Sequence, residues 1–383
     1  MNNKFVYTPG PTNVRENVRL ARAMETTNPD VDEAFVEFYK KTTEKIGKII
    51  HTNNPVYILS GEGILGIEAA CATLTEPGDR VLVIDNGIYG RGFKDFVDIY
   101  GGEAVLYSDD YTDEINIEKL AKYLEENHDF KYAALVHCDT PTSVLNNVGS
   151  ICQLLNEYGI ISVVDSVSAM VGEELRVDDW KMDVVLGGSQ KALSTPTGLT
   201  MVSISERAQK AMENRKTPVS GFYCNLNIWK NYYKDKWFPY TMPISDIMAL
   251  DVAAQNILDE GIDNVIKRHE VIANAVRKAV KEYGLELYLK GGYANTVTAV
   301  KIPKEIGAIN LKNHLYNKYN AVFSTSLEPY TNEILRIGHM GENAVIDKTV
   351  FALNVIDRGL KDLGFNSDKD LVSLFNKYLE NEM

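Results

Sequence analysis

Lys191 stands in "GGSQKALSTPTG", a stretch of small, uncharged residues in which nothing pairs locally with its charge. A lysine desolvated in such surroundings has its pKa lowered and becomes an amine nucleophile towards carbonyls, the chemistry of a Schiff base. Asp165 ends the apolar run "IISVVD" and is followed by "SVSA". One reading makes it a helix N-cap or turn acid; the other makes it a carboxylate that holds a proton on a cationic ring. Upstream, "ILSGEGILGIEAA" carries G-x-G-x-x-G at Gly61, Gly63 and Gly66, and Asp85 follows at the end of "RVLVID". That is the shape of a dinucleotide fingerprint. A loop that opens a helix can equally receive a single phosphate on its orphan amides.

The elements around these residues decide between the two. Short apolar runs read as strands at Val56 to Ser60, Arg80 to Asp85, Glu103 to Tyr107, Tyr132 to His137, Ile160 to Asp165, Asp183 to Gly188 and Leu199 to Ser205, with helices between them. Runs this continuously apolar are buried on both faces, which predicts an α/β chain with a mostly parallel central sheet wrapped by helices. In such sheets ligands sit beyond the carboxyl ends of the strands. Five of these ends are polar or glycine-rich, and Asp165 and Lys191 follow neighbouring candidate strands. A Schiff-base lysine and an acid for the pyridinium nitrogen are the pair that a pyridoxal phosphate site needs. On this reading Gly61 to Gly63 form a phosphate cup, Gly66 packs the helix, and Asp85 begins the "DNGIYG" turn that presents Tyr89 to the ring. Arg336, in "EILRIGHMG", has the planar fork that suits a substrate carboxylate. Past Leu250 the texture changes to long amphipathic helices and a second set of short strands. That predicts a smaller α+β C-terminal domain, with a boundary near Glu260 to Arg268.

Composition narrows the class further. The chain has 383 residues, 45% of them hydrophobic and 24% charged, and a net charge of −13. Without a basic block, nucleic acid and anionic membranes are repelled as general partners. Four scattered cysteines give no disulfide framework or zinc cluster, and a reducing cytoplasm fits. No signal-like or membrane-length apolar segment is present, so a soluble intracellular protein without a metal site is expected.

These residues, in this order, resemble the class V aminotransferases of the fold type I pyridoxal-phosphate enzymes, and especially the alanine–glyoxylate and serine–pyruvate group. The likeness runs from "YTPGPTNV" through "SGEGILGIEAA", "EPGDRVLVIDNGIYGRG", "HCDTPTSVLNNV" and "VVDSVSAMVGEELRVDDWKMDVVLGGSQKALSTPTGL" to "YTMPIS" and "LRIGHMG". The resemblance implies that Lys191 bears the Schiff base and shuttles the proton, that Asp165 meets the ring nitrogen, and that Tyr89 stacks on the ring. It implies that the amides of Glu62 and Gly63 bind the phosphate, with Gln190 adding a side-chain contact. Thr140 falls near the cofactor. Thr241 would reach the phosphate of a neighbouring subunit, so a homodimer with shared sites follows. Arg336 would grip the substrate α-carboxylate, and Asn13 lies on the segment lining the substrate pocket. The implied division is an N-terminal segment 1–20 at the active site, a large cofactor domain 21–262 and a small domain 263–383.

Two departures bear on the substrate: Phe238 stands where that branch has a tyrosine, and the loop Ser326 to Glu333 is not glycine-rich. The expected reaction is a ping-pong transfer from alanine or serine to glyoxylate or pyruvate, because only one arginine matches a carboxylate-binding position. Alternatives are 2-aminoethylphosphonate–pyruvate transfer, whose relatives share the "TPGPT" start, and ureidoglycine–glyoxylate exchange. No cysteine lies just before Arg336, which argues against a desulfurase. From other classes, an NAD-dependent dehydrogenase would use the glycine loop and Asp85 but leave Lys191, Asp165 and Gln190 idle. A ligand-sensing module would need a DNA-binding extension, and none is visible.

Overall fold

The computed structural model describes residues 4–382. Its central sheet has seven strands: β1 (Val56–Ser60), β2 (Arg80–Asp85), β3 (Glu103–Ser108), β4 (Tyr132–Val136), β5 (Ile161–Asp165), β6 (Val184–Gly188) and β7 (Leu199–Ile204). Their order across the sheet is β1-β7-β6-β5-β4-β2-β3. Every residue of β4, β5, β6 and β7 is buried, as continuous apolar runs require, while the edge strand β3 is partly open. All pairings are parallel except those of β7, which runs antiparallel to both β1 and β6. The carboxyl ends of β1, β2, β4, β5 and β6 therefore point the same way, and the site can form at that edge.

Helices cover the sheet where their apolar faces demand it. The helix Glu33–Ile49 begins at Asp32, whose carboxylate accepts from the Ala34 amide at 3.0 Å. The helix Gly63–Leu74 is buried along most of its length, and Gly66 lets it lie close on the sheet. A Cβ at Gly66 would stand 2.5 Å from Thr200 Cγ2 on β7 and 3.4 Å from Leu186 Cδ2 on β6. Gly66 is thus a packing residue, as expected from the sequence.

A second sheet of four antiparallel strands, β8 (Glu286–Leu287), β9 (Thr298–Lys301), β10 (Ser324–Thr325) and β11 (Ile334–Ile337), has the order β8-β9-β11-β10. It shares a separate hydrophobic core with helices Ile262–Tyr283, Ala308–Tyr319, Ile346–Asp362 and Leu371–Glu382. Gly261, at φ +86°, breaks helix Ile244–Glu260 from helix Ile262–Tyr283. Short N-terminal pairs complete the frame: Phe5–Val6 lies parallel to Ala321–Val322, and Tyr7 is fully buried with its hydroxyl 2.7 Å from Thr349 Oγ1.

Gly66→Val should overpack the helix–sheet contact, at a cost of about 2–3 kcal/mol. A lowered denaturation midpoint with an unchanged m-value checks this, and Thr200→Ala should recover part of the loss.

Candidate active site

Lys191 is the third residue of the turn after β6, and its ammonium meets a cavity of about 270 Å³ at the carboxyl ends of the strands. Glu62, Gly63, Tyr89, Asp165 and Gln190 line the same cavity. Lys191 Nζ donates to the Pro9 carbonyl at 2.8 Å. Gly10 passes directly over the side chain: a Cβ there would lie 2.4 Å from Lys191 Cδ and 2.9 Å from Nζ. Gly10 also holds φ +91°, so both space and backbone require glycine. Burial, reinforced by the charge of Arg336, pulls the Lys191 pKa down to about 8. The amine therefore has a deprotonated fraction near neutral pH far above that of an ordinary lysine, the condition for a nucleophile or proton carrier.

Asp165 ends β5, adjacent to β6, so neighbouring strands deliver acid and amine to one cavity. Its Oδ1 accepts from the Val167 amide at 2.9 Å, leaving Oδ2 without a hydrogen-bond partner among the described residues. Burial pushes its pKa up to about 6. An adjacent cation would hold such a group ionised. Val167 is fixed between two glycines, since a Cβ at Gly63 or Gly188 would stand 2.7 or 2.9 Å from its methyls. Val167 gives the cavity an apolar wall beside Asp165.

Tyr89 is placed by a residue that sequence reasoning missed. The fully buried Asp139 accepts from the Tyr89 amide at 2.7 Å and from Thr142 Oγ1 at 3.1 Å, capping helix Ile88–Ile99. Gly87 allows it, because a Cβ there would stand 2.4 Å from the Asp139 carboxyl. Gly87, two residues before Tyr89 in "DNGIYG", was the sequence signal. Arg336, on β11, donates from Nε to the Thr325 carbonyl at 2.8 Å. Its two terminal nitrogens have no hydrogen-bond partner among the described residues, and its charge is felt at Tyr89, Asp139 and Lys191.

Other expected residues sit differently. Thr140 is buried beside Asp139 but is not part of the cavity wall. Asn13 does not line the cavity either; its Nδ2 donates to the Val6 carbonyl at 2.9 Å and to Asn343 Oδ1. Asn13 therefore pins the N-terminal segment. Thr241 is exposed and donates to Asp30 at 2.9 Å, outside this cavity within one chain. Phe238 is buried, packing edge-on to Tyr39 at 4.9 Å and to Phe35 at 5.6 Å. A hydroxyl there would enter an aromatic core, so its expected effect at a shared site is not seen within this chain. Ser326 anchors the loop before Arg336 by donating to the Pro141 carbonyl at 2.7 Å. Asp85 is fully buried and takes hydrogen bonds from Arg91 and Ser108 at 3.0 and 2.9 Å and from Tyr111. The acid that a dinucleotide reading needs is thus consumed by the scaffold.

The glycine loop also departs from a simple phosphate cup. The Gly61 amide donates to the Gly198 carbonyl at 2.8 Å. Glu62 is the N-cap of helix Gly63–Leu74, and its carboxylate accepts from the Ile64 amide at 3.2 Å and from Gln190 Nε2 at 3.3 Å. The amides of Glu62 and Gly63 are left at a helix end whose partial positive charge this carboxylate already balances. The lysine, acid and aromatic wall fit a pyridoxal ring. The end that would face its 5′ substituent holds an acceptor of the protein's own.

A mostly parallel seven-stranded sheet with this lysine–acid pair at its carboxyl edge is the architecture of the fold type I transferases that work with pyridoxal phosphate. Residues 17–322 match the family model described as aminotransferase class-V. The chain belongs to the class V aminotransferase family and is an enzyme of that family. It is 32% identical over 363 residues to the pyridoxamine–pyruvate transaminase of Mesorhizobium japonicum, covering 94% of this chain and 92% of that one. It is 31% identical over 369 residues to a serine–glyoxylate aminotransferase of Arabidopsis thaliana, covering 94% and 91%. The crystal structure of ureidoglycine–glyoxylate aminotransferase from Bacillus subtilis superposes with a TM-score of 0.95 at 25% identity, covering 100% of this chain and 99% of that one.

Reductive trapping of Lys191 with a small aldehyde and borohydride should rise through about pH 8, well below the range of an ordinary lysine. Gly10→Ala should displace the amine and cut amino transfer roughly a hundredfold, while peptide mapping of the trapped adduct shows reduced labelling at Lys191.

Proposed function

We propose that this enzyme moves an amino group from a small L-amino acid, alanine or serine, to glyoxylate or pyruvate in a ping-pong cycle. The observation that carries the reading is a single cavity holding a partly deprotonated lysine beside a buried acid, with an arginine fork close by. The relatives' names support the acceptors: pyruvate for the Mesorhizobium protein and glyoxylate for the Arabidopsis one. Their named donors differ, pyridoxamine for the first and serine for the second.

In this reading Lys191, Asp165, Tyr89 and Val167 hold the pyridine ring, and the family's form of that ring is pyridoxal 5′-phosphate. When bound, the ring supplies an electron sink for charge developing at the substrate Cα. Lys191 Nζ takes the proton from Cα and returns it, and its lowered pKa suits both directions. Asp165 keeps a proton on the ring nitrogen by offering a negative charge in a dry site. Arg336 receives the substrate carboxylate on its two free terminal nitrogens and turns Cα towards Lys191. One such fork suits monocarboxylates over dicarboxylates.

Further parts of the proposal concern assembly. The domain division at residue 262 is supported by two separate hydrophobic cores joined at Gly261, whereas residue 20 lies inside helix Glu16–Ala21, whose Val18 packs with Ala249 and Ala253. A homodimer is supported by the exposed aromatic side chains Phe222, Tyr223 and Trp237 on the segment leading to Thr241. That surface would let Thr241 reach a neighbouring site. Among the described residues no helix is long and apolar enough to cross a membrane. The free cysteines, three of them buried, support a cytoplasmic setting.

Lys191→Ala should abolish transfer between alanine and glyoxylate, followed as the 2-oxo acid and amino acid products of each half-reaction. Unchanged transfer would refute the assignment. Arg336→Lys should raise KM for the 2-oxo acid roughly tenfold or more with a smaller effect on kcat, because a point charge replaces a fork.

A further inference from the structure

The groups facing the 5′ end of the ring site describe a different ligand from a phosphate ester. Glu62, Asp165 and Lys191 are the charged residues of the cavity wall, a net charge of −1 from two acids and one base. The lysine is committed to the reacting carbon. A phosphate monoester would bring nearly two more negative charges to the same helix end. There it meets the Glu62 carboxylate, which already accepts from the Ile64 amide at 3.2 Å. Gln190, whose side chain could have offered a donor, gives its Nε2 to Glu62 at 3.3 Å, and its Oε1 is buried without a partner among the described residues. The Glu62 carboxylate and the Gln190 amide oxygen are acceptors at this end, and the donors beside them are the main-chain amides of Glu62 and Gly63, at the helix end that the Glu62 carboxylate already balances. Ile64 adds an apolar surface next to them. A phosphate dianion has only acceptors to present, whereas a hydroxymethyl group has a hydroxyl proton to donate.

We propose that this enzyme binds the ring as an unphosphorylated vitamer, with pyridoxamine as an exchanging amino donor and its 5′ hydroxyl donating to Glu62. The proposal rests on the ring site and small 2-oxo acid acceptor of the preceding reading and changes the donor. The reaction balances without an outside oxidant or reductant. The primary amine on C4′ condenses with the ketone of the 2-oxo acid and water leaves. A proton passes from C4′ to the acceptor's second carbon through Lys191, and the electron pair of the C4′–H bond moves with the double bond. Water then cleaves the new C4′=N bond, releasing pyridoxal and the amino acid. C4′ is oxidised from amine to aldehyde level, and the acceptor carbon is reduced from ketone to amine level. In this mode pyridoxal leaves at every turnover and no prosthetic group stays behind.

The test uses the full-length purified protein, dialysed exhaustively. Equilibrium dialysis compares pyridoxal and pyridoxamine with their 5′-phosphates, and chromatography counts products from pyridoxamine and pyruvate. The expected result is preferential binding of the unphosphorylated forms and equimolar pyridoxal and alanine over many turnovers without added phosphate ester. Glu62→Ser keeps an N-cap side chain and removes the charge; it should tighten binding of the phosphate ester by about tenfold or more and weaken that of pyridoxal. Pyridoxal phosphate retained through dialysis, with alanine–glyoxylate transfer but no turnover of pyridoxamine, would overturn the proposal and leave the aminotransferase reading intact. An unchanged ratio of the two affinities in Glu62→Ser would also overturn it. Failure of every ring form to support amino transfer would overturn both.

Discussion

The contact between Gly10 and Lys191 is the constraint around which the molecule closes. A lysine amine that must work near neutral pH has to be kept from water, and here a stretch of backbone does it. The Pro9 carbonyl accepts from the amine, and the adjoining glycine lies on the side chain with no room for a methyl group. That backbone is held at both ends. Tyr7 is locked into the second core, and the Thr12 amide and hydroxyl each bond main-chain carbonyls at Gln190 and Lys191, at 3.0 Å. The N-terminal thread is thus stitched to both cores, with the reactive amine beneath it. Gly338 takes part as well, since a Cβ there would overlap the main chain of Thr8.

Around that amine the protein distributes negative charge unevenly. Asp165 faces the cavity with one oxygen free, whereas Asp139 is spent on holding the start of helix Ile88–Ile99. Glu62 is placed at a helix terminus, where a carboxylate is stabilised. Arg336 stands on the other side, on a strand of the second sheet, and its charge lowers the Lys191 pKa beyond what burial achieves. Three acids from three strand ends and one base from the second sheet therefore set the field in a single cavity.

Much of this was legible in the sequence, and the limits have physical causes. The strands of the large sheet are buried on both faces, so their apolar runs stand out against the helices, and Asp165 and Lys191 mark strand ends. The direction of β7 was not legible, because an apolar run carries no sign of which way it pairs. Neither was the fate of Glu62. A carboxylate two residues after a strand can turn into a ligand site or back onto its own helix, and only the positions of Ile64 and Gln190 decide it. The resemblance put Asn13 on the segment lining the substrate pocket and Phe238 at a position of the dimer-shared site. Within one chain Asn13 bonds Val6 and Asn343, and Phe238 packs in an aromatic cluster. Gly10 carried no sign of its role, since its partner Lys191 lies far along the chain.

The reversed strand also acts as a spacer. Because β7 runs back between β1 and β6, the loop bearing Glu62 and the turn bearing Lys191 leave the sheet two strand spacings apart, about 10 Å. A parallel strand in that place would have sent its own following loop into the gap. β7 instead enters there from Thr197 and Gly198, small residues that leave the gap open. The width between the two walls is thereby set by backbone hydrogen bonding, in units no side-chain substitution can alter. It is a width that admits one aromatic ring lying between an acid cap and an amine.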